Sequence, residues 1–196
     1  HIFYTQDHGH KTIRKAWNSV YRNGKKIAEY NRDNHFSAHW HHFVPHKPAI
    51  HIQNGDVVAT TCVFDTTKRD KMTLGGYGIE DEMCISYNYY YPAGEVEMCK
   101  SAVSNVTLHT WFKEKGVKNP NATIAEKYLS LEWNTELVRD LDELYATAPV
   151  NQHCYRADGS TYQGHPTNWS VIEHPHVQHG VYGTYRDESE CRALND

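Results

Sequence analysis

The sequence lacks a long apolar run and lacks an excess of basic residues. No stretch of about 18 apolar residues occurs, so we predict no membrane-spanning segment. The N-terminus also has no apolar signal-peptide core, which makes the chain either cytosolic or already processed. The formal net charge is -4, and the lysines and arginines are scattered. Because a nucleic-acid backbone is bound by a concentrated basic face, we expect no nucleic-acid partner.

Methionine is scarce as well. Only three are present, Met72, Met83 and Met98, and each is by default a core residue. Histidine, in contrast, is abundant, with 15 residues. Their titration would make the whole surface cationic near pH 5, but the count alone identifies no site.

The chain has the size and composition of one globular domain. It contains 196 residues, of which 39% are hydrophobic and 12% aromatic. Five cysteines and three glycosylation sequons favour an oxidising compartment, either outside the cell or in a secretory-vesicle lumen. The alternative is a set of accidental tripeptides with reduced core thiols. The predicted glycosylation sites are Asn105, Asn121 and Asn168.

Most of the chain has the pattern of short β-strands. "AWNSVYRNGKKIAEYN" predicts a hairpin that turns on Asn23-Gly24, a pair that tolerates a positive φ. "KPAIHIQNGDVVATTCVF" predicts a second hairpin that turns on Asn54-Gly55, and "MCISYNYYYP" predicts a further strand. Turns every 8 to 12 residues favour an antiparallel sandwich.

One segment has a convincing helical pattern. "NTELVRDLDELYATAP" places Leu137, Leu141 and Leu144 on one face, with Asn134 or Thr135 as the cap and Pro149 beyond the end. We therefore predict an all-β fold, an antiparallel β-sandwich with one C-terminal helix.

His8 and His10 form a candidate metal site within "YTQDHGH". On a strand, residues i and i+2 project from the same face, so two imidazoles can bind one ion. Two histidines on an exposed strand are also compatible with ordinary polar surface. A metal site would need a third ligand, and a thioether would select cuprous copper.

Six ordered blocks of the chain resemble a known family. "HIFYTQDHGH", "NRDNHFSAH", "GDVVATTCVFDT", "GGYGIEDEMCISYNYYYP", "EMCKSAV" and "APVNQHC" are similar to the C-terminal domain of the ascorbate-dependent copper monooxygenases. The similarity is closest to the branch of dopamine β-monooxygenase and its relatives, and it covers about residues 1–155. Residues 156–196 are then an extension that we expect to pack on the same domain.

The resemblance implies a jelly-roll-like sandwich that binds the oxygen-activating copper through His8, His10 and Met83. Peptide-amidating members carry a carboxylate-binding arginine two residues before the first ligand. Here that position is Gln6, as in the amine-hydroxylating branch. Tyr87 corresponds to a tyrosine of the family's pocket, although strand packing also accounts for it. A phenolic amine is therefore the expected small-molecule partner.

Two departures from the family pattern affect the expected site. Asp7 and Gly9 stand where the resemblance implies an apolar residue and a hydroxylated residue. We expect Gly9 to loosen the chelating strand and Asp7 to add charge beside the metal.

The family enzyme also has a preceding domain with a second, electron-donating copper. The chain begins at His1 without that domain, so we expect no hydroxylation by this chain alone. Ascorbate would have a role only if the protein is an enzyme. A separate copper domain or a second copy of the chain would be its partner. The alternative is a non-catalytic secreted protein that binds copper, carries a pigment or has a structural role.

Other histidines are candidates for additional metal ligands. His1 at a mature N-terminus could chelate copper through its amine and its ring, and His39 and His41 belong to the cluster "HWHHFVPH". If the cluster formed a strand, its members would be divided between the two faces.

The resemblance also implies disulfides. Cys62 and Cys84 lie in blocks that match bridged strands of the family. Cys99 and Cys154 match cysteines whose usual partners are adjacent to each other upstream, so we expect these two to pair. Cys191 is then free or bonded to a second molecule.

Overall fold

The computed structural model describes residues 1–162, which consist mainly of antiparallel strands. The strands are β1 (Ile2–Gly9), β2 (Ile13–Arg22), β3 (Lys25–Asp33), β4 (Val44–Ile50), β5 (Val57–Phe64), β6 (Cys84–Tyr90), β7 (Met98–Val103), β8 (Val150–Tyr155) and β9 (Thr161–Tyr162). Between β7 and β8 lie the helices α1 (Asn105–Glu114), α2 (Ile124–Leu129) and α3 (Thr135–Thr147). None of these three helices is long and apolar enough to cross a membrane.

Two three-stranded sheets form the sandwich. One has the strand order β4-β1-β6 and the other has the order β3-β2-β5, and every pairing in them is antiparallel. Ile2 of the first sheet packs against Val20 and Tyr30 of the second. A disulfide between Cys62 of β5 and Cys84 of β6 also joins the sheets, with their Cα atoms 5.9 Å apart. The predicted all-β sandwich and this predicted disulfide are both confirmed.

A third sheet, β7-β8-β9, extends from the helical region. Cys99 of β7 and Cys154 of β8 are opposite each other in the register and form the second disulfide, as expected. Cys191, Asn168 and most of the proposed extension lie outside the described residues.

The hairpin of β2 and β3 is confirmed, whereas the second predicted hairpin is wrong. Asn23 and Gly24 have φ values of 51° and 79°, as a tight hairpin turn requires. The turn at Gly55 also forms, with a φ of 91°. However, β4 pairs with β1 and β5 pairs with β2, so the chain crosses there from one sheet to the other. β4 contains two prolines, which suit the edge position that it occupies.

The predicted helix is confirmed as α3, but α1 and α2 were not expected. The side chain of Asn134 caps α3 by accepting a hydrogen bond from the amide of Leu137 at 2.9 Å. Helix α1 contains β-branched and aromatic residues with modest helix propensity, and tertiary packing stabilises it. Its buried side chains Leu108, Trp111 and Phe112 share one core with Tyr128 of α2.

A buried polar network connects the two sheets of the sandwich at Asp7. The Asp7 carboxylate accepts hydrogen bonds from the side-chain amides of Asn18 in β2, at 2.9 Å, and Asn31 in β3, at 2.8 Å. Asn18 in turn accepts a hydrogen bond from the hydroxyl of Thr60 in β5 at 2.7 Å. Burial raises the pKa of Asp7, and the amide donors oppose that rise by stabilising the charged form.

Replacement of Asp7 tests the contribution of this network to stability. We expect Asp7→Ala to lower the free energy of unfolding by about 2–4 kcal/mol, because it leaves two buried amides without their acceptor. Urea unfolding followed by tryptophan fluorescence measures the change. The control is Asp70→Ala at an exposed aspartate, where we expect a change within about 0.5 kcal/mol. Equal effects of the two substitutions would contradict the structural role of the network.

Candidate metal centre

His8 lies near the end of β1 on its outer face, and His10 is the first residue after the strand. Asp7 points between the sheets toward Asn18 and Asn31, so side-chain alternation directs His8 and His10 to the opposite side. Their ring centroids are 5.6 Å apart. His10 is only 5% exposed, and His8 is half-buried. The two imidazoles therefore share a partly dehydrated face, as the spacing predicted.

The Nδ1 atom of His10 has a backbone partner. It lies 3.1 Å from the carbonyl oxygen of Asp81, in the segment that precedes β6. A carbonyl oxygen only accepts hydrogen bonds, so Nδ1 carries a proton, and in the neutral form of the ring the lone pair is at Nε2. Such a hydrogen bond is the usual means by which a protein orients a metal-binding imidazole.

His8 is set up as a neutral imidazole. Burial lowers its pKa, and repulsion from His41 and His10 lowers it further. Its Nδ1 atom lies 3.2 Å from Nδ1 of His41, whose ring centroid is 4.4 Å away. A metal ligand must be unprotonated at the coordinating nitrogen, so these surroundings favour the form that can bind an ion.

Met83 directly precedes β6, as His10 directly follows β1. The antiparallel register pairs His8 with Ile85 and ends with Gly9 opposite Cys84. Met83 and His10 are the residues directly beyond this last pair, and continuation of the register would place them opposite each other. Directly opposite residues of an antiparallel pair project from the same face. The other two methionines are elsewhere, since Met72 packs against the helical core and Met98 is 53% exposed on β7.

Gly9 lies between the two histidines in a crowded position. A Cβ atom there would lie 2.8 Å from both the Met83 carbonyl oxygen and Cδ1 of Ile13. The absence of a side chain thus allows close approach of the backbone that carries Met83, a role of Gly9 that was not predicted, while the loosening of the strand stays a prediction. The Asp7 carboxylate lies on the other face of β1, among amide donors, so it does not project toward the imidazoles.

The donor set fits copper in its cuprous state. Within residues 1–162, no three histidine, cysteine, aspartate or glutamate side chains are grouped to hold a metal ion. A site at His8 and His10 therefore requires a different third donor, and the candidate is the thioether of Met83, directly beyond the last pair of the register. Two imidazoles and a thioether are soft enough to favour Cu(I).

The two predicted substrate-binding residues are on the same face. Gln6 of β1 and Tyr87 of β6 are directly opposite each other in the register, two positions from His8 and Ile85. The Tyr87 ring is 47% exposed, and its centroid is 6.3 Å from that of His8. The structure brings Gln6 and Tyr87 together beside the imidazoles, while their contact with a substrate stays a prediction.

The additional candidate histidines are in different places. His1 lies beyond the other end of β1, where its amine donates to the Tyr91 carbonyl at 2.7 Å and its ring packs against His51. His39 and His41 are in the connection between β3 and β4, so the division of the cluster along a strand is wrong for this segment. His41 contacts His8, and His39 is exposed.

Sequence reasoning missed several residues that support the site. The Asp81 carbonyl and the amides of Asn18 and Asn31 were not predicted to have a role. Every residue type has a backbone carbonyl, so the sequence does not mark the one that contacts His10. The two asparagines belong to the opposite sheet, and the sequence does not show that they contact Asp7. Only the glycine-rich segment "GGYGIED" before Met83 indicated that an irregular, closely packed chain precedes β6.

The fold and its outer face define a class of protein, an all-β sandwich domain with a candidate metal centre of two imidazoles and a thioether. Comparison with family models gives a match over residues 1–112 to "Copper type II ascorbate-dependent monooxygenase, C-terminal domain". The chain belongs to this family, as the sequence blocks indicated.

Several characterised proteins are similar to the chain. Tyramine beta-hydroxylase of Caenorhabditis briggsae is 38% identical over 201 residues, covering 100% of this chain and 34% of the relative. Dopamine beta-hydroxylase of Bos taurus is 38% identical over 171 residues, which cover 84% of this chain and 28% of the relative. The human dopamine beta-hydroxylase is 34% identical over 184 residues, which cover 90% of this chain and 29% of the relative. The chain thus spans about a third of the length of these relatives.

The crowding at Gly9 generates a prediction. We expect Gly9→Ala to destabilise the domain by about 1–3 kcal/mol and to weaken Cu(I) binding, because the added methyl displaces the Met83 backbone or Ile13. Gly75→Ala is the matched control, since its Cβ would lie 3.7 Å from the nearest atom, the Glu82 carbonyl oxygen. Thermal unfolding and competition with a chromogenic Cu(I) chelator measure the two effects. An unchanged Gly9→Ala protein would contradict the close approach.

Proposed function

We propose that this domain binds one copper ion through His8, His10 and Met83 and is the oxygen-activating half of an amine-hydroxylating monooxygenase. The observation that carries the proposal is the arrangement of the donors. Nδ1 of each imidazole has a hydrogen-bond partner, and Met83 directly precedes Cys84, the residue paired with Gly9 between the two histidines, which supports its thioether as the third ligand. Membership of the copper monooxygenase family supports the choice of metal.

The electron balance of the reaction requires a partner. When bound, copper supplies one-electron activation of O2, whereas hydroxylation takes up two electrons in R–H + O2 + 2 e⁻ + 2 H⁺ → R–OH + H2O. We therefore propose that the second electron comes from a further copper domain, with ascorbate as the reductant. The protein side chains of the site orient the substrate C–H bond and restrict water on the outer face.

We propose a phenolic amine as the substrate. The names of the tyramine and dopamine beta-hydroxylases support this class of molecule. Tyr87 offers an exposed ring next to His8, against which an aromatic substrate can pack. The Gln6 amide, unlike a guanidinium, cannot form a bidentate ion pair with a carboxylate, which argues against a peptide C-terminus.

We also propose that the protein acts in the secretory pathway or outside the cell. The two disulfides support an oxidising compartment. Asn105, in the first turn of α1, and Asn121, before α2, are both exposed and accessible to glycan attachment. The test is the mass of the protein secreted from a eukaryotic cell, with and without glycosidase treatment.

Removal of the thioether tests the copper site. We expect Met83→Ala to weaken Cu(I) binding on the order of tenfold or more, equivalent to about 1.4 kcal/mol or more, and to remove sulfur scattering from the X-ray absorption spectrum. Met98→Ala removes an exposed methionine and is the matched control, for which we expect wild-type binding. Retention of sulfur scattering in Met83→Ala would show that the assignment is wrong.

The need for a second electron source gives another prediction. A polypeptide of these 196 residues, supplied with copper, ascorbate, O2 and tyramine, should form less than one equivalent of hydroxylated product. Tyramine should still perturb the NMR signals of Gln6 and Tyr87, and a glycine-extended peptide should not. Multiple turnovers would contradict the requirement for a partner. Copper binding without any amine binding would instead support the non-catalytic copper-binding role.

A further inference from the structure

We propose that His41 is a positioning residue of the metal centre, which holds the ring of His8 in the tautomer that leaves Nε2 free for the metal. The proposal rests on the proposed function, because it assigns His8 as a copper ligand. His41 lies in the connection between β3 and β4, 33 residues away from His8 in the chain.

Each nitrogen of His41 contacts a different part of strand β1. Its Nε2 lies 3.2 Å from the carbonyl oxygen of Gly9, and its Nδ1 lies 3.2 Å from Nδ1 of His8. The His41 ring thus contacts His8, one of the proposed ligands. It also contacts the backbone of Gly9, which connects His8 to the second proposed ligand, His10.

The proton positions follow from what each atom can donate or accept. The Gly9 carbonyl can only accept, so whenever the His41 ring is neutral its Nε2 carries the proton and its Nδ1 keeps a lone pair. The proton between the two Nδ1 atoms therefore belongs to His8, which donates it to His41. His8 then has its own lone pair at Nε2. His10 reaches the same state by donating from Nδ1 to the Asp81 carbonyl.

The connection that carries His41 is anchored in the sandwich. Phe36 is only 5% exposed and packs with Ile13 and Ala16 of β2. Its backbone amide donates to the Arg14 carbonyl at 3.0 Å. The ring of His41 packs against Phe36 with a centroid distance of 5.6 Å. The position of His41 is therefore set by a buried aromatic residue, as a positioning residue requires.

Direct coordination by His41 is the competing role. Two nitrogens 3.2 Å apart could also bind one ion, but His8 would then use Nδ1 and lose its hydrogen-bonded proton. His10 cannot coordinate through Nδ1 in the same way, because its Nδ1 is hydrogen-bonded to the Asp81 carbonyl. The hydrogen-bonded arrangement leaves both ligand rings with the same free atom, Nε2, on the same face of β1, and we therefore favour it.

The first experiment determines tautomers in the metal-free protein. Nitrogen-15 NMR of the imidazoles, at a pH where they are neutral, distinguishes Nδ1–H from Nε2–H rings. We expect Nδ1–H for His8 and His10 and Nε2–H for His41. In His41→Leu, the His8 ring should change to the Nε2–H tautomer, while the His10 ring should not change. In His41→Gln, the amide can both accept from His8 and donate to Gly9, so His8 should keep the Nδ1–H tautomer.

The second experiment measures Cu(I) affinity by chelator competition. We expect His41→Leu to weaken binding about 10- to 100-fold, the usual effect of removing a hydrogen-bond partner of a metal-binding histidine. His41→Gln should recover most of the loss. X-ray absorption should show two imidazoles and one sulfur in both the wild type and His41→Gln.

An Nε2–H ring at His8 in the wild type would overturn the proposal. So would a third imidazole in the wild-type spectrum that disappears in His41→Gln, because His41 would then be a ligand. A wild-type protein that binds no Cu(I) would contradict the proposed function, and the tautomer measurement, which needs no metal, would still decide the role of His41.

Discussion

The inward position of Asp7 is the constraint on which the candidate site depends. Its carboxylate is held between the sheets by two asparagine amides from the opposite sheet. Because side chains alternate along a strand, this contact also directs His8 to the outer face. A slip of one residue in β1 would bury an imidazole and expose the carboxylate, leaving the amides without an acceptor. The network that connects the sheets therefore also sets the direction of the side chain that we propose as the first metal ligand.

Backbone contacts and one covalent bond complete the site around β1. Cys84 begins β6, and its disulfide to β5 fixes the residue next to Met83. Gly9 admits the Met83 backbone, and the Asp81 carbonyl orients His10. Contacts of this kind hold the proposed ligands in place before a metal binds, and Tyr87, on the outer part of the same face, is exposed.

Among the predictions from local patterns, the correct ones concern contacts between residues that are close in the sequence, whereas the wrong ones concern segments whose contacts are with residues far away in it. The turn at Asn23-Gly24 and the cap at Asn134 depend on neighbouring residues; the turn was predicted, and Asn134 was one of two predicted caps. The turn at Gly55 was predicted as well, but its flanking strands pair with β1 and β2, a choice that the turn does not encode. Helix α2 had a local signal in its capping box, Thr123 and Glu126, whereas α1 depends on packing of its aromatic residues.

The sequence by itself determined the family, the all-β class and the common face of His8 and His10, because residue order and a period of two carry that information. Tertiary structure alone decided where Asp7 points, why Gly9 has no room for a side chain, and which histidine of the cluster meets His8. Apart from the contact of Gly9 with Ile13, those contacts join residues 11 to 74 positions apart. The physical reason is that each depends on the register between strands and on the path of a connecting segment, and neither is encoded by local residue patterns.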